Sequence, residues 1–124
     1  MNLKKALLLP FLFVLVSCYQ AEKNCNDFKT GKFKSEITIN GIKKQTISIR
    51  TDSIVIETYE GKTDTASIRW INDCEYVLQK INPKSMAEKK AIDIKILTTS
   101  KNSYTFEFGV VGSPDKQKGV AYKL

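Results

Sequence analysis

From Lys32 onward, apolar and polar residues alternate with a period of two over almost the whole chain, and no long helical repeat interrupts them. Successive side chains of a strand point to opposite faces, so this alternation constrains the chain to half-buried sheet. Phe33, Ile37 and Ile39 share one parity in the first candidate strand. Ile47 and Ile49 mark the second, Ile54 and Ile56 the third, Ile68 and Trp70 the fourth, and Tyr76 and Leu78 the fifth. Ile92, Ile94 and Ile96 define the sixth, Tyr104, Phe106, Phe108 and Val110 the seventh, and Val120, Tyr122 and Leu124 the last. The pattern predicts about eight strands with these residues on the apolar face.

Turn chemistry divides the runs at the same places. Asn40-Gly41 supplies the positive φ angles of a tight hairpin, and Thr51-Asp52, Glu60-Gly61 and Asn72-Asp73 separate other runs. Successive strands are therefore expected to be antiparallel neighbours. Parity gives two finer expectations. A three-residue turn near Asn72 places Trp70 beside Tyr76 and Ile68 beside Leu78, and the mismatch between Ile42 and Ile47 calls for a bulge or a three-residue connection after Asn40. One helical candidate runs from Pro83 to Ala91, where Ser85 and Glu88 have capping-box spacing.

A meander with one apolar face must close on itself or pack on something, since an isolated sheet leaves edges and a hydrophobic face in water. The expected fold is all-β, an antiparallel meander forming a small barrel or half-barrel with one short helix between strands five and six. The architecture resembles lipocalin-like barrels. Its interior is either filled by side chains or left with a small cavity.

Residues 1–17 hold Lys4, Lys5 and the uncharged apolar run Ala6 to Val16 before Ser17, the layout of a secretory leader. The run is shorter than the about 20 apolar residues of a spanning helix. Leu15-Val16-Ser17-Cys18 resembles the bacterial lipobox, in which cleavage precedes a cysteine that carries diacylglycerol. The resemblance implies a lipid anchor on Cys18, membrane attachment through two or more acyl chains, and a division into leader (1–17), lipidated tether (18–24) and a single β domain (25–124). Tyr19 rather than Asp follows the cysteine, which by resemblance to proteobacterial sorting implies the outer membrane, on its periplasmic or surface side.

Export leaves Cys25 and Cys74 in an oxidising compartment, and one pairing is available to them. A disulfide closing a loop of about 50 residues is worth roughly 4 kcal/mol in the chain-entropy model. The chain has 20 Lys and Arg against 13 Asp and Glu, a formal net charge of +7. The leader contributes two of those lysines and no acid, leaving a modest excess on the domain. The lysines are scattered rather than clustered with stacking aromatics, so the charge reads as solubility and weak attraction to anionic surfaces, and no nucleic-acid partner is expected.

The 124 residues include no His, which removes the commonest general base and the commonest transition-metal ligand. No nucleophile stands in an activation motif, and there is no Gly-rich phosphate loop, so no enzyme, metal or cofactor is expected. Asp52 with Glu57, and Asp73 with Glu75, read as turn and surface carboxylates. Lys84, Lys89 and Lys90 read as a solvated face. The remaining candidates for ligand binding are Trp70 and Tyr76 as stacking surfaces, Arg50 and Arg69 as guanidinium donors to an anion, and Tyr104 and Phe106 as cavity walls. The competing expectation is that Trp70 and Tyr76 are a cross-strand core pair, with Arg69 in solvent opposite Glu57.

Cys25-Asn26-Asp27-Phe28-Lys29-Thr30-Gly31-Lys32-Phe33, the run from Arg69 to Tyr76, and Tyr104-Thr105-Phe106 resemble a family of small flavobacterial lipoproteins. The resemblance covers nearly all of the chain beyond the leader. Members of that family often carry the label of a DNA topoisomerase IV. A type II topoisomerase needs a DNA-gate tyrosine with a neighbouring arginine, an acidic magnesium cluster and an ATPase partner over many hundreds of residues, and these residues supply none of them. The expectation is a non-catalytic lipoprotein of the cell envelope that binds a small hydrophobic or anionic ligand, or alternatively a solid barrel that docks an envelope protein. A cavity walled by Trp70, Tyr104 and Phe106 would favour the ligand, and an exposed apolar patch would favour the protein.

Overall fold

The computed structural model describes residues 23–124. The expected leader at 1–17, the lipidation site Cys18 and most of the tether lie outside the described residues. Eight strands follow in chain order: β1 (Gly31–Ile39), β2 (Ile42–Arg50), β3 (Ile54–Tyr59), β4 (Lys62–Asn72), β5 (Glu75–Lys80), β6 (Ile92–Thr99), β7 (Ser103–Val110) and β8 (Gln117–Lys123). Each pairs antiparallel with the next, and β8 pairs back onto β1, so the meander is a closed barrel. Closure removes the unpaired edges that an open sheet of this size would expose.

The β1–β2 hairpin turns through Asn40 and Gly41 at φ 53° and 78°, both central residues left-handed as the tightest hairpin requires. Its register runs without a slip from Ile39 opposite Ile42 to Gly31 opposite Arg50, so the expected irregularity after Asn40 is absent. This one register decides the face of β2. Ile47 lies opposite Lys34 and Ile49 opposite Lys32, on the outer wall, while Ser48 lies opposite Phe33 and points inward. The same inversion passes to β3, where Ile56 pairs with Ile49 outside and Val55 and Glu57 face the lumen. In β8 the buried position is Ala121, while Tyr122 and Leu124 are exposed.

Three of the eight strands therefore turn their conspicuous apolar residues outward. Register is the cause in β2 and β3, and interior volume in β8. Phe33, Tyr104 and Phe106 fill the barrel from β1 and β7, and the strand between them must be slender. A Cβ on Gly119 would stand 2.6 Å from Ile37 Cγ2 and 2.7 Å from Phe106 Cζ, so β8 passes this point only as glycine.

Between β4 and β5, Trp70 does face Tyr76 and Ile68 faces Leu78. The means differ from the expected three-residue turn: Asn72 pairs with Glu75 across a two-residue turn, and the extra residue is a bulge between Trp70 and Asn72. Between β5 and β6 the expected helix at 83–91 is reduced to a 3-10 turn at Ala87–Lys89. The Glu88 N–H does donate to Ser85 Oγ at 3.2 Å, but the Glu88 carboxylate turns back to the Lys84 N–H at 3.1 Å, and Lys90 is already extended at ψ 132°. The cap forms, and the chain extends at Lys90 before a helix can follow it.

A second 3-10 turn, Cys25–Phe28, plugs one end of the barrel. Phe28 is fully buried there and packs on Tyr104 at a centroid distance of 5.1 Å. Cys25 and Cys74 are bonded, which ties this plug to the β4–β5 turn. Asn24, the last expected tether residue, is held at the same end through its N–H on Thr99 Oγ1 at 2.9 Å.

Candidate functional site

The plugged base and the strand walls enclose a cavity of about 410 Å3, within the about 300–1,000 Å3 range of small-molecule sites. Ile37, Leu78, Ile92, Ile94, Phe106 and Phe108 form its apolar side, and Ser35, Thr46, Ser48, Arg50 and Glu57 form a polar stripe from β1, β2 and β3. Ala87, Glu88 and Lys90 of the β5–β6 connection stand at the rim, at the end of the barrel away from the Cys25–Phe28 plug. The strand alternation that fails to put isoleucine inside β2 and β3 is what puts hydroxyls and charges there instead.

Arg50 is the centre of the polar stripe. It is 6% exposed at the inner end of the cavity. Its Nη1 donates to the Phe28 carbonyl at 2.9 Å and its Nη2 donates to the Tyr104 hydroxyl. The guanidinium lies over Phe33 at 4.1 Å from the ring centroid and near the rings of Tyr76 and Tyr104 at 5.1 and 5.5 Å. The Tyr76 and Tyr104 hydroxyls share a hydrogen bond of 3.1 Å. Burial, and then the neighbouring Tyr104, push the Tyr76 phenol well above its ordinary range, so it is a neutral hydrogen-bonding group. No ion pair among the described residues includes Arg50.

Glu57, read from sequence as a surface carboxylate, faces the lumen beside Ser48. Burial raises its carboxyl above the ordinary value, against the pull of Arg50 and Lys80 in the other direction. Closer to the rim Lys80 bridges Asp64 at 3.3 Å and Glu88 at 3.6 Å. Lys90, expected on a solvated face, contributes to the rim.

Of the ligand-binding candidates, the fold brings Arg50, Tyr76 and Phe106 to the cavity wall. Tyr104 lies behind them, buried to 1% exposure and holding Arg50 in place. Trp70 sits at the plugged end, packed against Tyr76 with the rings tilted at 46° and 4.6 Å between centroids, and covered by the Lys29 ammonium at 5.0 Å. Arg69 is exposed on the outer wall, while Glu57 is inside, so the two do not face each other. The sequence reading missed Ser48, Glu57 and Thr46. Their signal was present as the second parity of the same strands, Thr46-Ser48-Arg50 and Val55-Glu57, which alternates as regularly as the isoleucines do.

Comparisons with protein-family models, with curated proteins and with solved structures return no match.

Proposed function

We propose that this protein is a lipid-anchored, non-catalytic module of the bacterial cell envelope that takes a small, largely apolar molecule into its barrel. One observation carries the binding half of this reading: a walled cavity of about 410 Å3 with a single buried cation at its inner end. A side chain whose only task is structural has no need of a lumen left open beside it, and Arg50 combined with an apolar wall is the pattern of a site that orients one polar group of a guest. The envelope half is supported by the lipobox-like Leu15-Val16-Ser17-Cys18 after an apolar leader, and by the Cys25–Cys74 bond that an oxidising compartment permits. The likeness to small flavobacterial lipoproteins belongs to the same reading. The plugged base is the end nearest the tether, so a chain anchored at Cys18 would present its cavity rim away from the membrane.

A second reading is favoured by the outer wall. Ile49, Ile54 and Ile56 are 46%, 38% and 40% exposed on neighbouring strands, and Ile49 pairs directly with Ile56. Such a patch suits a docking surface for an envelope-assembly partner. Native mass spectrometry of the protein extracted gently from its own membrane separates the two. A stoichiometric small molecule is the expected result, and a stoichiometric protein partner with an empty barrel would replace the first reading by the second. Cys18→Ala is expected to move the protein from the membrane fraction to the soluble fraction, and retention in the membrane would overturn the anchor.

A further inference from the structure

Resting on the lumen-binding reading, we propose that the guest is a single-chain amphiphile with a carboxylate head, seated on Arg50 with its chain toward the rim, and that Glu57 tunes its affinity. Arg50 is a permanent cation, 6% exposed, whose protein partners are a carbonyl and a phenol rather than an anion. The anion nearest it in effect is Glu57, which acts on it through space without a direct ion pair; a guest carboxylate in direct contact offsets the buried charge where a neutral head does not. The guanidinium has five N–H groups, of which the Phe28 carbonyl and the Tyr104 hydroxyl take two. These two bonds hold the fork still from behind, and the remaining donors suit a planar, two-oxygen acceptor.

Tyr104 accepts from Arg50 and shares a hydrogen bond with Tyr76 that either hydroxyl can donate; with Tyr104 as its donor, the Tyr76 hydroxyl is a further donor on the lumen side. Away from this head site the wall is Ile37, Leu78, Ile92 and Phe108, fit for a hydrocarbon chain. A cavity of about 410 Å3 is near the low end for small-molecule sites, which favours one chain over a two-chain lipid.

Glu57 faces the same lumen. The charged and titratable groups around it are Arg50 from β2, Asp64 from β4, and Lys80 and Tyr76 from β5, with Glu88 and Lys90 at the rim; β1, β6 and β7 line the cavity with uncharged side chains. Lys80 is already engaged by Asp64 and Glu88. An ionised Glu57 repels a bound carboxylate, and a protonated Glu57 donates to it. Uptake of the anion is thus accompanied by uptake of a proton on Glu57, and affinity rises as pH falls.

The test uses the whole protein in lipid nanodiscs, stripped of co-purified ligand, with empty discs as the blank. Three eight-carbon probes that differ only in the head, octanoate, 1-octanol and octylammonium, are titrated by calorimetry. Octanoate is expected to bind about tenfold or more tighter than the other two at pH 6, and its affinity to fall about tenfold at pH 8. Glu57→Gln is expected to abolish that fall, and Arg50→Met to reduce octanoate to the level of octanol. Equal binding of the three heads, a preference for octylammonium, or an unaltered pH slope in Glu57→Gln would overturn the proposal and leave the lumen as a site. No binding of any probe would overturn the lumen-binding reading as well.

Discussion

Arg50 joins three parts of this molecule. It fastens the plug through the Phe28 carbonyl, positions Tyr104 and covers the Phe33 ring, all from one buried guanidinium. Truncation leaves an orphaned carbonyl and a hole beside three aromatic rings, so Arg50→Ala is expected to cost about 3 kcal/mol, read as a lower midpoint in urea unfolding. Glu57 acts in the opposite sense. Its carboxyl is raised in the folded protein by burial, so the folded state binds this proton more tightly than the unfolded chain does. The resulting contribution to stability is fully present below the ordinary carboxylate range and is lost as pH rises through the folded value. Glu57→Gln is therefore expected to melt higher than the parent at pH 8 and to show no such gain at pH 4 in thermal unfolding followed by circular dichroism. Neither role is legible from the residue alone. The sequence offers Arg50 as a guanidinium for an anion and Glu57 as a surface carboxylate, and only the pairing register sends both inward.

At the scale of elements, the strands and most turns follow from local chemistry. Asn40-Gly41 gives a hairpin with both central residues left-handed, and the chain repeats the device at Glu60-Gly61 with φ 50° and 78°. Glutamate has no side-chain reason to sit there, whereas asparagine tolerates the left-handed region. Glu60→Asn is expected to stabilise the protein by about 1 kcal/mol, measured by chemical unfolding. The Lys44–Glu60 ion pair it sacrifices is exposed, 3.9 Å long and of little weight. The 83–91 segment shows the limit of such reasoning. Its capping residues behave as capping residues, yet the chain forms only a 3-10 turn at Ala87–Lys89 before Lys90 extends toward β6. The bulge before Asn72 shows another limit: alternation fixed the partners of Trp70 and Ile68, and left open whether a longer turn or an extra residue in the strand would deliver them.

On the scale of the whole molecule, a barrel of eight strands is closed at one end by four residues and a disulfide. Cys25 and Cys74 are 49 positions apart, and their bond restrains both the unfolded chain and the plug. The double replacement Cys25→Ser with Cys74→Ser is expected to cost roughly 4 kcal/mol in equilibrium unfolding. It is also expected to quicken amide exchange at Phe28 before the strands, because the plug then relies on its burial and on the hydrogen bonds from Arg50, from Lys123 to Asp27 and from Asn24 to Thr99. Exchange rates at the plug equal to those of the parent would show that the bond acts only on the unfolded chain.

Composition, alternation and turn residues by themselves determined that this chain is a meander of antiparallel strands, that Cys25 and Cys74 could meet, and that Phe33, Ile68, Tyr76, Ile94, Tyr104 and Phe106 form an interior face. These are consequences of period-two geometry and of local φ preferences, both of which act over a few residues. Only the tertiary structure decided which parity of β2, β3 and β8 faces inward. For β8 the reason is crowding, since Ile37 and Phe106 leave no space for a Cβ at Gly119; for β2 and β3 it is register, since the two-residue Asn40-Gly41 turn sets Ser48 opposite Phe33 and passes the inversion on to Val55 and Glu57. The isoleucines of β2 and β3 go outside with that register, and the lumen left beside them is what remains for a guest.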